Sequence, residues 1–168
     1  MNSLKRLYNW TLDKANHKNA KWYLSLISFA ESSFFPIPPD LLLIPMALAS
    51  KTKAIFYAFI CTFSSVLGGI LGYAIGYYFY NTLGIYIVEF YHLENSFSVF
   101  EDYYKEFGIL IVLGAGITPF PYKFITIASG VFGLNIFLFI IISIVGRGSR
   151  FYLIALLLYF FGEKIKLI

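Results

Sequence analysis

The stretch Phe29-Ala30-Glu31-Ser32-Ser33-Phe34-Phe35-Pro36-Ile37-Pro38-Pro39-Asp40-Leu41-Leu42-Leu43-Ile44-Pro45 decides the fold. It is as apolar as a membrane helix, yet it carries two carboxylates, Glu31 and Asp40, and several prolines. Proline lacks an amide donor and its ring clashes with the preceding turn, so the cluster Pro36, Pro38, Pro39 does not fit inside one continuous helix. The segment must break there. Further along the chain, Ile117-Thr118-Pro119-Phe120-Pro121-Tyr122-Lys123-Phe124-Ile125-Thr126-Ile127 repeats the pattern Pro-x-Pro-x-charge between two apolar arms. Pro119 follows Pro36 by close to half the length of the chain, which predicts an internal duplication with Asp40 and Lys123 at equivalent positions. Two apolar segments broken at matching places of two halves point to the substrate site of a transporter built from inverted repeats.

Composition fits that reading. The chain is 59% hydrophobic and 13% charged, with mean hydropathy +0.73, values of an integral membrane protein with a single domain. The excess of Phe, Tyr, Ile, Asn and Lys matches A/T-rich codon usage, so the aromatic content carries little weight. The lone cysteine, Cys61, excludes an internal disulfide and reads as a small buried apolar residue. His17 and His92 lie outside the apolar spans, no metal-ligand spacing occurs, and no cofactor is expected. Residues 1–21 hold Lys5, Arg6, Lys14, Lys18 and Lys21 without a signal-peptide core, and read as a basic amphipathic segment on an anionic membrane surface.

Length and charge set the expected topology. As helices, the arms Trp22–Phe35 and Asp40–Ser50 each reach roughly 17 to 21 Å, too short for about 30 Å of hydrocarbon. Residues 54–80 are uncharged and long enough to cross with tilt. Residues 81–106 carry Glu89, Glu94, Glu101, Asp102 and Glu106 against Lys105, and within them 91–107 reads as an amphipathic helix in the interface. A second broken segment, 107–133, precedes an apolar stretch, 134–161, and a tail with Lys164 and Lys166. If every apolar segment crossed, the basic N-terminus and Lys51/Lys53 would fall on opposite faces, against the positive-inside rule. If 22–50 and 107–133 are both re-entrant hairpins, all basic termini and loops fall inside and the acidic connection outside. The predicted fold is therefore an all-α integral membrane protein, two re-entrant helical hairpins plus two transmembrane helices in an inverted repeat. The tips, Pro36, Pro38 and Pro39 in one and Pro119 and Pro121 in the other, should meet near mid-membrane, since broken backbone at that depth must be buried in protein or line a wet cavity.

Ionisable residues within apolar spans are costly and mark function. Here they are Glu31, Asp40, Lys123, Arg147 and Arg150. Arg147 and Arg150 are three apart on one helix face, and two guanidinium forks on one face suit a phosphate or carboxylate. Flanking Gly146 and Gly148 would let another backbone or a bulky headgroup approach. Glu31 and Asp40 are expected to pair with the arginines, leaving Lys123 as surplus positive charge for an anionic group from lipid. Ser149 has no base beside it and reads as a packing residue.

Glu31 followed by Pro36-Ile37-Pro38-Pro39-Asp40, then Gly116-Ile117-Thr118-Pro119-Phe120-Pro121-Tyr122-Lys123, then Gly146-Arg147-Gly148-Ser149-Arg150-Phe151, resembles the DedA superfamily, also called SNARE-associated or VTT-domain proteins, and within it the small YqaA-type branch. The resemblance covers roughly residues 22–161. It implies a multi-pass protein of the bacterial inner membrane with both termini cytoplasmic, and a role in translocating phosphate-bearing lipids such as undecaprenyl phosphate, linked to the proton-motive force. It further implies that the acids matching Glu31 and Asp40 and the arginines matching Arg147 and Arg150 are essential. Larger relatives carry an arginine-containing Phe-x-Arg-x-x-Pro-x-x-Arg arm where this chain has Thr118-Pro119-Phe120-Pro121-Tyr122-Lys123, with Lys123 as a point cation in its place.

The expected function is a flippase for a polyprenyl phosphate. Arg147, Arg150 and Lys123 hold the headgroup, while Glu31 and Asp40 compete for the arginines and release one when protonated. The expected partners are a membrane lipid and protons, with no nucleic acid; a homo-oligomer is open. Alternatives are a small-ion or proton antiporter, or a membrane-homeostasis assembly factor without transport. An enzyme acting on lipid phosphates is disfavoured, because the spans contain no histidine, no serine–histidine arrangement and no Asp-rich metal motif.

Overall fold

The computed structural model describes residues 19–34, 37–92 and 94–165, with side chains to residue 162. Most of the basic segment 1–21, Pro36 at the first tip, the Lys164 side chain and Lys166 lie outside the described residues. Among the described residues every regular element is helical: α1 (Ala20–Ser33), α2 (Asp40–Ala49), α3 (Ala54–Phe79), α4 (Ile85–Phe90), α5 (Glu94–Ile117), α6 (Tyr122–Val131) and α7 (Ile136–Ile165). A 3-10 turn, Lys51–Lys53, leads into α3, and a π-helical turn, Tyr80–Gly84, joins α3 to α4.

The breaks fall at the prolines. The Phe34 amide still reaches the Ala30 carbonyl at 2.9 Å, and then the helix ends. It restarts at Asp40, where the Leu41 and Leu42 amides bond back to the carbonyls of Pro38 and Pro39, a first-turn position that proline tolerates because its missing donor would be unpaired anyway. Pro45 sits inside α2 and gives up one ladder bond there. In the second half α5 stops at Ile117 and α6 restarts at Tyr122, directly after Pro121.

Pairwise contacts give the helix directions. Ser28 bonds Cys61, Ser32 meets Ser65 and Ser33 bonds Gly68, so α1 runs parallel to α3. Asp40 bonds Arg150, and Gly162 lies against Leu48, so α2 runs parallel to α7. Gly69 lies against Phe139, Ser65 meets Arg147 and Gly148 lies against Thr62, so α3 and α7 are antiparallel. The same reading makes α5 parallel to α7, through Gly108–Leu134 and Gly116–Gly146, and α6 parallel to α3, through Thr126–Gly72 and Gly130–Tyr73. Hence α1/α2 and α5/α6 are helical hairpins that enter from opposite ends of the molecule. In each, the first arm packs on the long helix of its own half and the second arm on the long helix of the other half. The halves match in spacing as well: the interval from the start of α2 to the start of α6 equals that from the start of α3 to the start of α7. This register pairs Asp40 with Tyr122, one position short of the expected Lys123.

Two further expectations change. The helix begun at residue 54 does not end at 80; with its preceding turn it continues through α4 as one apolar unit, Lys51–Phe90, of 40 residues. Nor do residues 91–107 form a separate interfacial helix, because α5 runs unbroken from Glu94 to Ile117 and supplies the first arm of the second hairpin. No proline interrupts 94–117, so nothing forces a break at 106. Its beginning is held by aromatic contacts: Phe97 stacks on Tyr80 at 4.8 Å, and both Phe97 and Tyr104 meet Phe132 at 5.1 Å.

Among the described residues two helices, Lys51–Phe90 and Ile136–Gly162, are long and apolar enough to cross a membrane. Their side chains are distributed in the reverse of a soluble helix. On α3 the large apolar residues Phe56, Phe59, Phe63, Leu67, Leu71 and Ile75 face outward. The inward face is small or hydroxylic: Ala58, Cys61, Ser65, Gly68, Gly72 and Gly76 are buried. Backbones meet there closely, since a Cβ on Gly68 would lie 2.1 Å from the Phe29 carbonyl oxygen and one on Gly76 2.0 Å from that of Ile127. Such small-residue seams are how helices associate where burying apolar surface gives no drive.

Candidate functional site

Both hairpin tips converge on one turn of α7, at Arg147 and Arg150. Arg147 is 1% exposed and is the largest fully buried side chain among the described residues. Its Nη2 donates to Glu31 Oε2 at 2.5 Å and its Nε to Ser65 Oγ at 2.6 Å. Ser32 donates to the same Glu31 oxygen at 3.2 Å and meets Ser65 Oγ at 2.5 Å, closing a small polar network across α1, α3 and α7. The guanidinium also lies against two rings, Tyr122 at 4.9 Å and Phe151 at 4.8 Å, the geometry of a desolvated cation–π contact. Tyr122 is held in turn by a 2.5 Å hydrogen bond to Ser143.

Arg150 sits one turn further on in a more open setting. Its Nη2 pairs with Asp40 Oδ2, and its Nη1 donates to the Thr118 carbonyl at 2.8 Å. One guanidinium thus joins the tip of the first hairpin, through a side chain, to the tip of the second, through its backbone. The side chains of Arg150 and Asp40 are 15% and 18% exposed. Asp40 Oδ1 is buried and has no hydrogen-bond partner among the described residues.

Four of the five embedded charges are therefore brought together as two ion pairs. Lys123 is not. Its Nζ lies 5.3 Å from the ring of its exposed neighbour Phe124, and among the described residues it makes no ion pair. The two glycines differ in use. Gly146 packs against the backbone of Leu113 and Gly116, whereas a Cβ on Gly148 would meet only a Thr62 methyl at 3.6 Å. Gly148 instead lines an apolar groove of about 480 Å³ between α3 and α7, with Phe59, Leu67, Ile144 and Tyr152. Ser149, expected to pack, is exposed and bonds the Val145 carbonyl. Of the tip prolines, Pro39 is buried, whereas Pro38, Pro119 and Pro121 are exposed.

Sequence reasoning missed Ser32, Ser65 and the Thr118 carbonyl. The signal for Ser65 was the spacing of Cys61, Ser65, Gly68, Gly72 and Gly76, which marks the buried seam of α3. Ser65 lies on that seam and precedes Arg147 by the same interval that separates α3 from α7, which makes it the other half's counterpart of the arginine it binds. No residue-type pattern announces a backbone carbonyl.

The class these features define is an all-helical protein with two apolar helices of spanning length, crossed by two broken helix pairs that enclose paired charges. No family model matches the chain, and no solved structure matches it. An uncharacterized protein of Haemophilus influenzae is 39% identical over 158 residues, covering 94% of this chain and 82% of that protein. A second, described as an uncharacterized HI0703 homolog of Histophilus somni, is 38% identical over 161 residues, with the same coverage. The chain belongs to one family with these two proteins.

Proposed function

We propose that this protein is an inner-membrane translocase for a phosphate-bearing lipid, with undecaprenyl phosphate or a similar polyprenyl phosphate as substrate and protons as coupling ion. In this reading the hairpins are re-entrant, the long helices cross the bilayer, and the basic end carrying Lys21, Lys51 and Lys53 faces the cytoplasm. The observation that carries it is the convergence of two arginines and both hairpin tips inside a molecule whose outer surface is apolar. Broken helices meeting at mid-depth are how alternating-access carriers build a site, and guanidinium groups hold phosphate with paired hydrogen bonds. The second arms, α2 and α6, both begin at the tips, so the positive ends of two helices face the same region. The resemblance to the DedA superfamily supports the same substrate class.

The test is transbilayer movement of a fluorescent polyprenyl phosphate in proteoliposomes, read by loss of signal to an external quencher. The purified protein should accelerate movement over protein-free vesicles, and Arg150→Ala should abolish the acceleration. Wild-type vesicles indistinguishable from empty ones would refute the proposal.

A further inference from the structure

The two ion pairs differ in what a ligand could reach. The Arg147 guanidinium is held along one edge by Glu31 and Ser65 and flanked by the Tyr122 and Phe151 rings, and the residue is 1% exposed. Glu31 is backed by Ser32. Releasing Arg147 would leave a buried carboxylate and a buried guanidinium unpaired together, which buried pairs tolerate badly. Nothing comparable holds Arg150. It lies at the rim, its carboxylate partner has one unsatisfied oxygen, and its other contact is a single carbonyl.

From this asymmetry, and resting on the lipid-phosphate reading above, we infer that Arg150 alone is the exchangeable anion-binding group of this site. A phosphate oxygen takes the place of Asp40 on its guanidinium, while Arg147 with Glu31 is a permanent clamp. The exchange has a mechanical consequence. Arg150 is one shared contact of the tips, so a ligand that draws it from both Asp40 and Thr118 removes that link between hairpin α1/α2 and hairpin α5/α6 and leaves the Thr126 hydroxyl, which donates to the Ser32 carbonyl at 3.0 Å, as the deeper one. Binding and loosening of the tips at this contact are then one event. The anion that fits is a phosphate monoester, whose oxygens can accept both of the guanidinium donors that Asp40 and the Thr118 carbonyl now share between them.

Full-length protein in uncharged maltoside micelles, titrated with dodecyl phosphate and separately with inorganic phosphate by calorimetry, tests the exchange. Removing the internal competitor with Asp40→Asn should tighten dodecyl phosphate binding by about tenfold or more. Asp40→Ser provides the same readout should the asparagine variant not fold. Arg150→Gln should abolish binding in protein that keeps its helical circular dichroism. Glu31→Gln should lower thermal stability yet leave the affinity of the folded protein within about threefold of wild type. Dodecyl phosphate binding that inorganic phosphate does not displace assigns the headgroup of a lipid; equal binding of the two assigns free phosphate, and both support the exchange at Arg150. Binding that survives Arg150→Gln but is lost in folded Glu31→Gln overturns the division of roles and leaves the lipid-phosphate reading standing. No binding to wild type or to either Asp40 variant overturns both.

Discussion

Breaking the Arg147–Glu31 pair from either side should damage the fold, and removing both members together should restore most of it. Arg147 is 1% exposed and Glu31 9%, so each single substitution strands a charge in a buried site. Stranding one member of a buried pair costs about 3–5 kcal/mol. Arg147→Met also gives up two ring contacts, of about 1 kcal/mol or more each when desolvated, although its thioether recovers part of the packing. Glu31→Leu leaves the guanidinium with Ser65 and the rings only. In the double variant no charge remains, and apolar replacements of buried pairs are often close to neutral. The expected coupling energy is at least about 3 kcal/mol, opposing the two single losses. Reversible unfolding of full-length protein in mixed micelles, followed by far-ultraviolet circular dichroism, measures the cycle. Single losses that add to within about 0.5 kcal/mol would refute the clamp, since that is the behaviour of independent sites.

Other consequences follow from particular atoms. Gly76→Ala and Gly130→Ala each place a Cβ about 2.0 Å from a facing carbonyl oxygen, of Ile127 and Tyr73, so helices α3 and α6 must part and each variant should lose at least about 2 kcal/mol in the same unfolding assay. Gly114→Ala meets nothing within 4 Å and should lie within about 0.5 kcal/mol of wild type. Tyr122→Phe removes the hydrogen bond to Ser143 but keeps the ring under Arg147, which predicts a loss of about 1 kcal/mol, against about 3–5 kcal/mol for Tyr122→Ala. For topology, Lys53→Cys and Glu94→Cys in a Cys61→Ala background should react with an impermeant maleimide from opposite sides of spheroplasts and inverted vesicles. Labelling of both from one side would contradict the proposed insertion.

The parts of the fold that were legible in the sequence are those governed by proline and by charge. Pro36, Pro38, Pro39 and Pro121 withhold amides, and the helices end within a few residues of them. Glu31, Asp40, Arg147 and Arg150 were legible as partners because a charge in an apolar span must find its opposite. What stayed hidden depended on register and backbone. Aligning Pro36 with Pro119 equated Asp40 with Lys123; the helix starts make the repeat one position shorter and equate Asp40 with Tyr122. The connection 81–106 was misjudged because charge marks where a chain meets water, not where a helix ends. Glu101, Asp102 and Lys105 ride on the same uninterrupted helix as Val112 and Ala115.

The register of the helix starts bears on why a scaffold of two similarly spaced halves carries one charged site and not two. Ser65 and Arg147 occupy corresponding places on α3 and α7 and touch each other, so the relation between the halves passes through their hydrogen bond. A position that meets its own counterpart cannot hold an arginine in both copies without burying like charges in contact. One half keeps the guanidinium, and the other keeps a hydroxyl that accepts from it. The same division recurs at Arg150, whose counterpart in the first half is Gly68, where a Cβ would already strike the Phe29 backbone. On α3 the position closes the seam with α1; on α7 it supplies the cation that both tips share. Symmetry at the level of helices thus forces asymmetry at the level of side chains, and the charged cluster lies where the two halves are compelled to differ.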